Sequence, residues 1–168
     1  HWAPKFKDKS TYRVAICWQG NPGYKEDGLR SIPLFYFEKL CEDPSVELWS
    51  LQKGTGLEQV GAFGARDSLV LSGPELDEDR GAFMDSAAII SLADLVVTSD
   101  TSVAHLAGAL GATVWLLLPY VPDWRWGREG EFTDWYPNMR IFRQSNPGDW
   151  PGVFEEVQAA LLQRRSKD

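Results

Sequence analysis

The sequence predicts a doubly wound, Rossmann-like α/β domain on a parallel sheet of about six strands. Two observations carry that expectation. Short apolar runs alternate with helical patterns from one end of the chain to the other, a rhythm that implies parallel strands covered on both faces. No internal repeat, low-complexity stretch or linker divides the 168 residues, so they read as one domain.

The elements follow in order. Arg13-Val14-Ala15-Ile16-Cys17-Trp18 reads as a buried strand leading into the loop Gln19-Gly20-Asn21-Pro22-Gly23. Ser31-Ile32-Pro33 opens a helix through Leu34, Phe37 and Leu40, with Pro33 in the first turn where its missing N–H costs nothing. Val46 to Leu51 is a second strand, followed by Gln52-Lys53-Gly54-Thr55-Gly56. Leu57 to Phe63 suggests a short helix and Ser68 to Leu71 a third strand. Gly81 to Leu92 carries Phe83, Ala87 and Ile90 at i, i+4, i+7, the stripe of a helix. Leu95 to Thr98 is a β-branched strand, Ser99-Asp100-Thr101-Ser102 a turn, and Val103 to Leu110 a helix that Gly111 closes from the C′ position. Thr113 to Leu118 is a strand stopped by Pro119, and Met139 to Phe142 is the last one. Val153 to Leu162 closes the chain as a helix followed by Arg164-Arg165, charges its dipole favours. The long aromatic and charged loop Tyr120 to Pro137 breaks the regularity, and loops of this length tend to be functional.

Composition narrows the function classes. A chain that is 43% hydrophobic is not disordered, and one this long buries roughly 70% of its unfolded surface. The longest apolar stretch, Phe83 to Leu118, is interrupted by Asp85, Asp94, Asp100 and His105, so no membrane span is expected. A net charge of −7 argues against nucleic-acid binding. Cys17 and Cys41 lie far apart with neither metal nor disulfide spacing and read as buried free thiols in a reducing cytoplasm. The chain begins His1-Trp2, without Met and without a signal-peptide pattern, and reads as a piece of a longer protein.

In open parallel sheets ligands bind beyond the carboxyl ends of the strands. Those ends here are Gln19-Gly20-Asn21, Gln52-Lys53-Gly54, Ser99-Asp100-Thr101-Ser102 and Pro119-Tyr120. The third is the most informative. A strand runs through a hydroxyl-rich turn straight into a helix, whose first amides form a ready anion site. His105, four residues after Thr101, falls on nearly the same helix face. There the dipole disfavours imidazolium, whereas a bound phosphate would favour it. The plainer alternative is that Asp100 or Thr101 caps the helix and His105 is a satisfied polar residue. Asp100 would repel a diphosphate, so its expected roles are capping amides or accepting hydrogen bonds from sugar hydroxyls. No further carboxylates gather near it at metal-ligand spacing, so no metal is expected. Arg30, between the first strand and its helix, and Lys53, after the second, are placed to hold an anion. Otherwise both are solvated surface charges.

Gly-x-Gly-x-x-Gly is absent after the first strand and Gly54-Thr55-Gly56 lacks a third glycine in register, which disfavours a nicotinamide dehydrogenase. The Walker pattern and the Gly-x-Ser-x-Gly elbow are missing too, and His105 is the one histidine besides His1, which disfavours P-loop NTPases and triad hydrolases. Trp124, Arg125, Trp126, Trp135 and Tyr136 crowd the long loop. They suit sugar or acceptor stacking, a satellite core, or an interface with a partner domain.

Asp85 to Gly111, with its core Asp100-Thr101-Ser102-Val103-Ala104-His105-Leu106, resembles the donor-site signature of heptosyltransferase-like glycosyltransferases. The whole chain, from about Val14 to Phe154, is similar to the glycosyltransferase module that follows tetratricopeptide repeats in bacterial proteins. Cys17-Trp18-Gln19-Gly20-Asn21-Pro22, Arg30-Ser31-Ile32-Pro33-Leu34, Ser50-Leu51-Gln52-Lys53-Gly54 and Pro122-Asp123-Trp124-Arg125-Trp126 carry that likeness. The resemblance implies the carboxyl-terminal half of a GT-B architecture, which binds a nucleoside-diphosphate sugar as substrate and needs no cofactor. On that reading Arg30, Thr101, Ser102 and His105 hold the diphosphate and Asp100 faces sugar hydroxyls. Gln19, Gly20, Asn21, Gln52 and Lys53 complete the donor site. Two departures are notable: members often have Lys where Arg30 stands and Gly where Ser102 stands.

The expected function is therefore donor binding in a metal-independent hexosyl- or heptosyltransferase, inactive without its amino-terminal acceptor or repeat domain. Arg30 and His105 would stabilise the leaving diphosphate, and their replacement by Ala should cut transfer far more than it disturbs folding. The alternatives are a nucleotide-sugar epimerase domain and a non-catalytic nucleotide- or partner-binding module.

Overall fold

The computed structural model describes residues 2–5, 10–79 and 81–166; His1 lies outside them. Six parallel strands, β1 (Tyr12–Cys17), β2 (Val46–Ser50), β3 (Leu69–Leu71), β4 (Leu95–Ser99), β5 (Val114–Leu118) and β6 (Met139–Arg143), lie in the order β3-β2-β1-β4-β5-β6. Strand order reverses between β1 and β4. Connections leave those two strands in opposite directions, which opens a crevice at their carboxyl ends.

Residues within each strand alternate between two cores. Val14, Ile16, Leu48, Val97 and Leu117 face one layer with Phe37, Phe154 and Val157. Ala15, Cys17, Trp49, Val96 and Leu116 face the other with Ile89, Ala104 and Ala107. The strands therefore read as unbroken apolar runs.

Among the described residues there are four α-helices: α1 (Asp27–Arg30), α2 (Met84–Leu92), α3 (Ser102–Ala109) and α4 (Trp150–Arg165). The helix expected after Pro33 is a 3₁₀-helix, Leu34–Glu42, with Pro33 just ahead of it. Its buried residues Leu34, Phe37 and Leu40 recur every third position, the period of a three-residue turn. Leu57–Ala62 is likewise 3₁₀.

α2 starts later than Gly81, because Gly81 and Phe83 take φ of +98° and +64°. Its buried face is Asp85, Ser86, Ile89 and Ile90, not the expected stripe that Phe83 begins. The reason is local: the Asp77 carboxylate accepts from the amides of Asp85 (2.8 Å) and Ser86 (3.1 Å) and from the Ser86 hydroxyl, so polar residues pack inward at the helix start. α4 begins at Trp150, capped by Asp149, whose carboxylate accepts from Gly152 N at 3.0 Å. Arg165 at its far end pairs with Asp43 at 2.8 Å, and Arg164 donates to the Tyr12 hydroxyl at 2.7 Å. These basic residues therefore fasten the helix to β1 and to the turn before β2. α3 ends at Ala109 with Leu110 as its C-cap, and Gly111 takes φ +72° as expected.

The aromatic loop is more ordered than its composition suggests. Asp123 caps a 3₁₀ turn, Trp124–Trp126. Phe132 bridges to Arg140 and Glu131 accepts from Ile141 N at 2.7 Å, so the loop runs beside β6. Arg143 donates to three loop carbonyls, those of Trp126, Gly127 and Gly130. None of the helices among the described residues is long and apolar enough to cross a membrane.

Candidate functional site

A cleft of about 570 Å³ opens at the carboxyl ends of β1, β2 and β4, walled by Gln19, Gly20, Asn21, Arg30, Thr101 and Ser102. It lies where the strand order predicts a ligand crevice. Gln52 and Lys53 line it as well. Eight of the expected donor residues therefore share one cavity.

Arg30 organises this wall. Its Nε donates to Asp27 Oδ1 at 3.0 Å and its Nη1 to the Asp100 carbonyl at 2.7 Å. One guanidinium thus ties the loop after β1 to the turn after β4. Nη2 has no hydrogen-bond partner among the described residues, and Arg30 lines the cleft. The Tyr24 ring lies 4.7 Å below the guanidinium carbon, a cation–π contact that further fixes its plane. Gly20 leaves room for this pair: a Cβ on it would stand 2.3 Å from Asp27 Oδ1 and 2.5 Å from Nη2, so the two side chains would have to shift.

Two helix N-termini border the cleft and differ in one respect. That of α2 is closed by Asp77, as described above. At α3 the N-cap Thr101 is extended and its side chain makes no capping bond. The Thr101 hydroxyl turns back into the sheet instead, 3.4 Å from Thr98 Oγ1 and 3.8 Å from Cys17 Sγ. Ser102, the first helical residue, is exposed at the cleft. The amides at the start of α3 therefore keep the positive potential that anions seek.

Gln52 is 6% exposed and does something the sequence did not suggest. Its Oε1 accepts from the amides of Trp18 (3.1 Å) and Gln19 (3.0 Å), and its Nε2 donates to the carbonyls of Gln19 (3.0 Å) and Thr55 (2.8 Å). Every strong donor and acceptor it has is spent on backbone, so it clamps the β1 and β2 ends together. Lys53 is half exposed and paired with Glu78 at 2.5 Å. The Asn21 side chain accepts from Gly23 N at 2.9 Å and shapes its own turn. Gly56, with φ +99°, lets its carbonyl accept from Trp18 Nε1; a Cβ there would stand 2.9 Å from Gln19 Oε1.

Asp100 and His105 leave the expected cluster. The Asp100 side chain is 6% exposed and borders an adjoining groove with Arg30, Pro119, Val121, Asp123 and Arg125. Its carboxylate has no hydrogen bond among the described residues. His105 does not line the cleft. Its Nδ1 lies 3.0 Å from the Tyr136 hydroxyl, and its ring stacks on Trp126 with centroids 5.3 Å apart. Four residues along a helix advance about 6 Å beyond Thr101, enough to carry His105 past the opening and under the aromatic loop. Gly108 permits this packing, since a Cβ there would enter the Tyr136 ring. The aromatic loop splits accordingly: Trp126 is core, whereas Trp124 is 79% exposed and Arg125 pairs with Asp123 at 3.3 Å.

Cys17, Asp77, Phe83 and Ser86 also line the cleft and were not among the site residues expected from the sequence. Burial pushes the Cys17 thiol up to about 11, against hydrogen bonds that lower it, so it is a neutral wall atom at pH 7. Phe83 adds an aromatic side chain to the cleft lining. Its left-handed backbone carries no sequence signal, and Asp77 reaches the α2 amides across a turn of irregular length. Local capping patterns could not have found either.

No family model matches the chain. Protein FlbA of Caulobacter vibrioides is 26% identical over 150 residues, which is 89% of this chain and 25% of that protein. Among solved structures, E. coli ADP-heptose lps heptosyltransferase II matches with a TM-score of 0.61 at 16% identity, over 97% of this chain and 50% of that one. E. coli heptosyltransferase WaaC with ADP matches with a TM-score of 0.62 at 14% identity, over 94% and 45%. What the chain shares with these enzymes is the fold. It has the Rossmann-like architecture of these GT-B glycosyltransferases, and it spans a quarter of the curated relative and about half of each solved structure.

Proposed function

We propose that this chain is the donor-binding domain of a glycosyltransferase, holding a nucleoside-diphosphate sugar. The carrying observation is the contrast between the two helix starts: α2 is plugged by Asp77, whereas α3 has no capping bond from Thr101 and shares the cleft with Arg30, which donates to the Asp100 carbonyl just ahead of it. A diphosphate between them would receive charge-assisted hydrogen bonds, each contributing about 1.5–3 kcal/mol. The nucleoside would extend toward Phe83 and Thr55, and the sugar toward the groove bordered by Asp100.

In transfer, negative charge grows on the leaving diphosphate as the glycosidic bond breaks. Fixed amides and a guanidinium already held by Asp27 and Asp100 stabilise that charge without reorganising. A metal is not needed for this role. His105 acts through packing, holding the aromatic loop on α3, instead of touching phosphate. The acceptor and its general base come from an amino-terminal acceptor or repeat domain, such as a tetratricopeptide-repeat region, working in the cytoplasm.

The test is calorimetric titration of this chain with a panel of nucleoside diphosphates. At least one should bind, and Ser102→Glu, whose carboxylate occupies the anion position while suiting the helix dipole, should abolish binding with folding intact. A folded wild-type sample silent across the panel overturns the reading. The exposed side chains of Trp124, Phe132 and Trp135 favour a second reading, a non-catalytic partner-binding module. Nucleotide silence together with capture of the proposed amino-terminal domain, lost in Trp124→Ser, would establish that one instead.

A further inference from the structure

Among the described residues two that are not glycine take left-handed backbone, Asp77 at φ +56° and Phe83 at φ +64°, and both line the cleft. Strained residues persist only where something offsets the strain, and they cluster at ligand sites. For Asp77 the offset lies inside the protein. A short polar side chain tolerates this region, and its carboxylate accepts from the amides of Asp85 and Ser86. Phe83 has no such offset. A bulky residue at positive φ is an outlier. The turn over residues 81–84 is closed by Met84 N donating to the Gly81 carbonyl at 3.2 Å. Phe83 holds its third position with φ +64° and ψ 7°, a place glycine ordinarily takes. On the other side the Phe83 carbonyl is held by Ala87 N at 2.9 Å.

The Phe83 ring belongs to neither hydrophobic core and is 43% exposed. An exposed aromatic by itself needs no explanation. One fixed on strained backbone in a cavity wall does, and among the described residues it is the one aromatic side chain lining this cleft. We infer that Phe83 is the stacking platform for the base of the nucleoside diphosphate, and that the left-handed turn serves to present its ring there. The inference rests on the nucleotide reading above. Phe83 does not border the groove beside Asp100, toward which the sugar extends, so its ring is left for the nucleoside. A planar base suits such a wall, because every base has a π-face that an aromatic ring can bind without polar partners.

The experiment titrates the chain calorimetrically with ADP, GDP, UDP and inorganic pyrophosphate. The tightest nucleotide should bind about tenfold or more above pyrophosphate, as stacking of one base contributes. Phe83→Leu, which keeps an apolar side chain on the same backbone but has no ring, should erase that advantage and leave pyrophosphate affinity unchanged. Phe83→Tyr should retain it. In NMR spectra the base protons of the bound nucleotide should move upfield under the ring current in the wild-type chain and in Phe83→Tyr, and not in Phe83→Leu, a readout that a merely structural role would not move. Thermal unfolding checks that each variant is folded. Equal affinity for nucleotide and pyrophosphate, an advantage that Phe83→Leu retains, or base protons unshifted in the wild-type chain overturns the platform and leaves the anion site standing. Silence toward all four probes, pyrophosphate included, overturns the nucleotide reading and the platform with it.

Discussion

Replacing Arg30 by Ala tests whether this residue is first a structural bridge. The substitution removes the 2.7 Å bond to the Asp100 carbonyl and the 3.0 Å pair with Asp27. The Arg30 side chain is 22% exposed and that of Asp27 5%, so solvent screens the pair only partly. A charge-assisted bond contributes about 1.5–3 kcal/mol, and stranding a buried carboxylate costs several more. Asp27 keeps the Ser31 hydroxyl at 3.0 Å, which places the total near the lower end, about 3 kcal/mol. In urea unfolding that is a fall in midpoint of about 1–2 M at unchanged slope. Arg30→Lys should recover less than half, since an ammonium cannot reach both partners in one plane. Asp27→Asn combined with Arg30→Ala should be less destabilising than the sum of the two, with a coupling of at least about 1 kcal/mol. A loss below about 0.5 kcal/mol, or strict additivity, would refute the bridge. The expectation drawn from sequence is that Arg30→Ala cuts transfer far more than it disturbs folding; this geometry adds a folding cost against which the loss of transfer is to be measured.

Gln52→Leu should lower stability by about 2–4 kcal/mol, because it strands the Trp18 and Gln19 amides; Gln52→Glu, which keeps both accepted bonds, should cost less in the same thermal unfolding. Gly108→Ala should cost about 1–3 kcal/mol by overpacking against Tyr136, and tryptophan emission should shift as Trp126 loses its seat on His105. The Cys17 thiol, raised by burial from 9.0 to about 11, stays protonated in the folded chain after it has ionised in the unfolded one. Its contribution is full below pH 9 and lost as pH rises toward 11. About 3 kcal/mol should disappear over that window; burial also pushes the Cys41 thiol up to about 11, so Cys17→Ser should lessen the slope and Cys17→Ser with Cys41→Ser should flatten the curve. Alkylation at pH 8, read by mass spectrometry, should leave Cys17 unmodified until urea unfolds the chain.

Much of the fold was legible because parallel strands buried on both faces must be apolar throughout, and six such runs stand out between turn residues. A parallel sheet puts a ligand beyond the carboxyl ends of its strands, which the pattern showed; that the crevice opens between β1 and β4 follows from the strand order, which only the tertiary structure supplies. The residues at those ends, Gly20, Arg30, Thr101 and Ser102 among them, were therefore identifiable before any coordinates. Their duties were not. A glutamine after a strand gives no sign that its amide will meet four backbone groups from two loops, as Gln52 does. An arginine three residues from an aspartate gives no sign that its other nitrogen will reach a carbonyl 70 residues away. His105 fell on the expected helix yet under the aromatic loop, because helix periodicity sets a direction while the packing of Tyr136 against Gly108 decides what lies in it. Local pattern specifies what each segment is. Which polar groups remain unspent for a ligand is settled only when distant segments meet and consume the others.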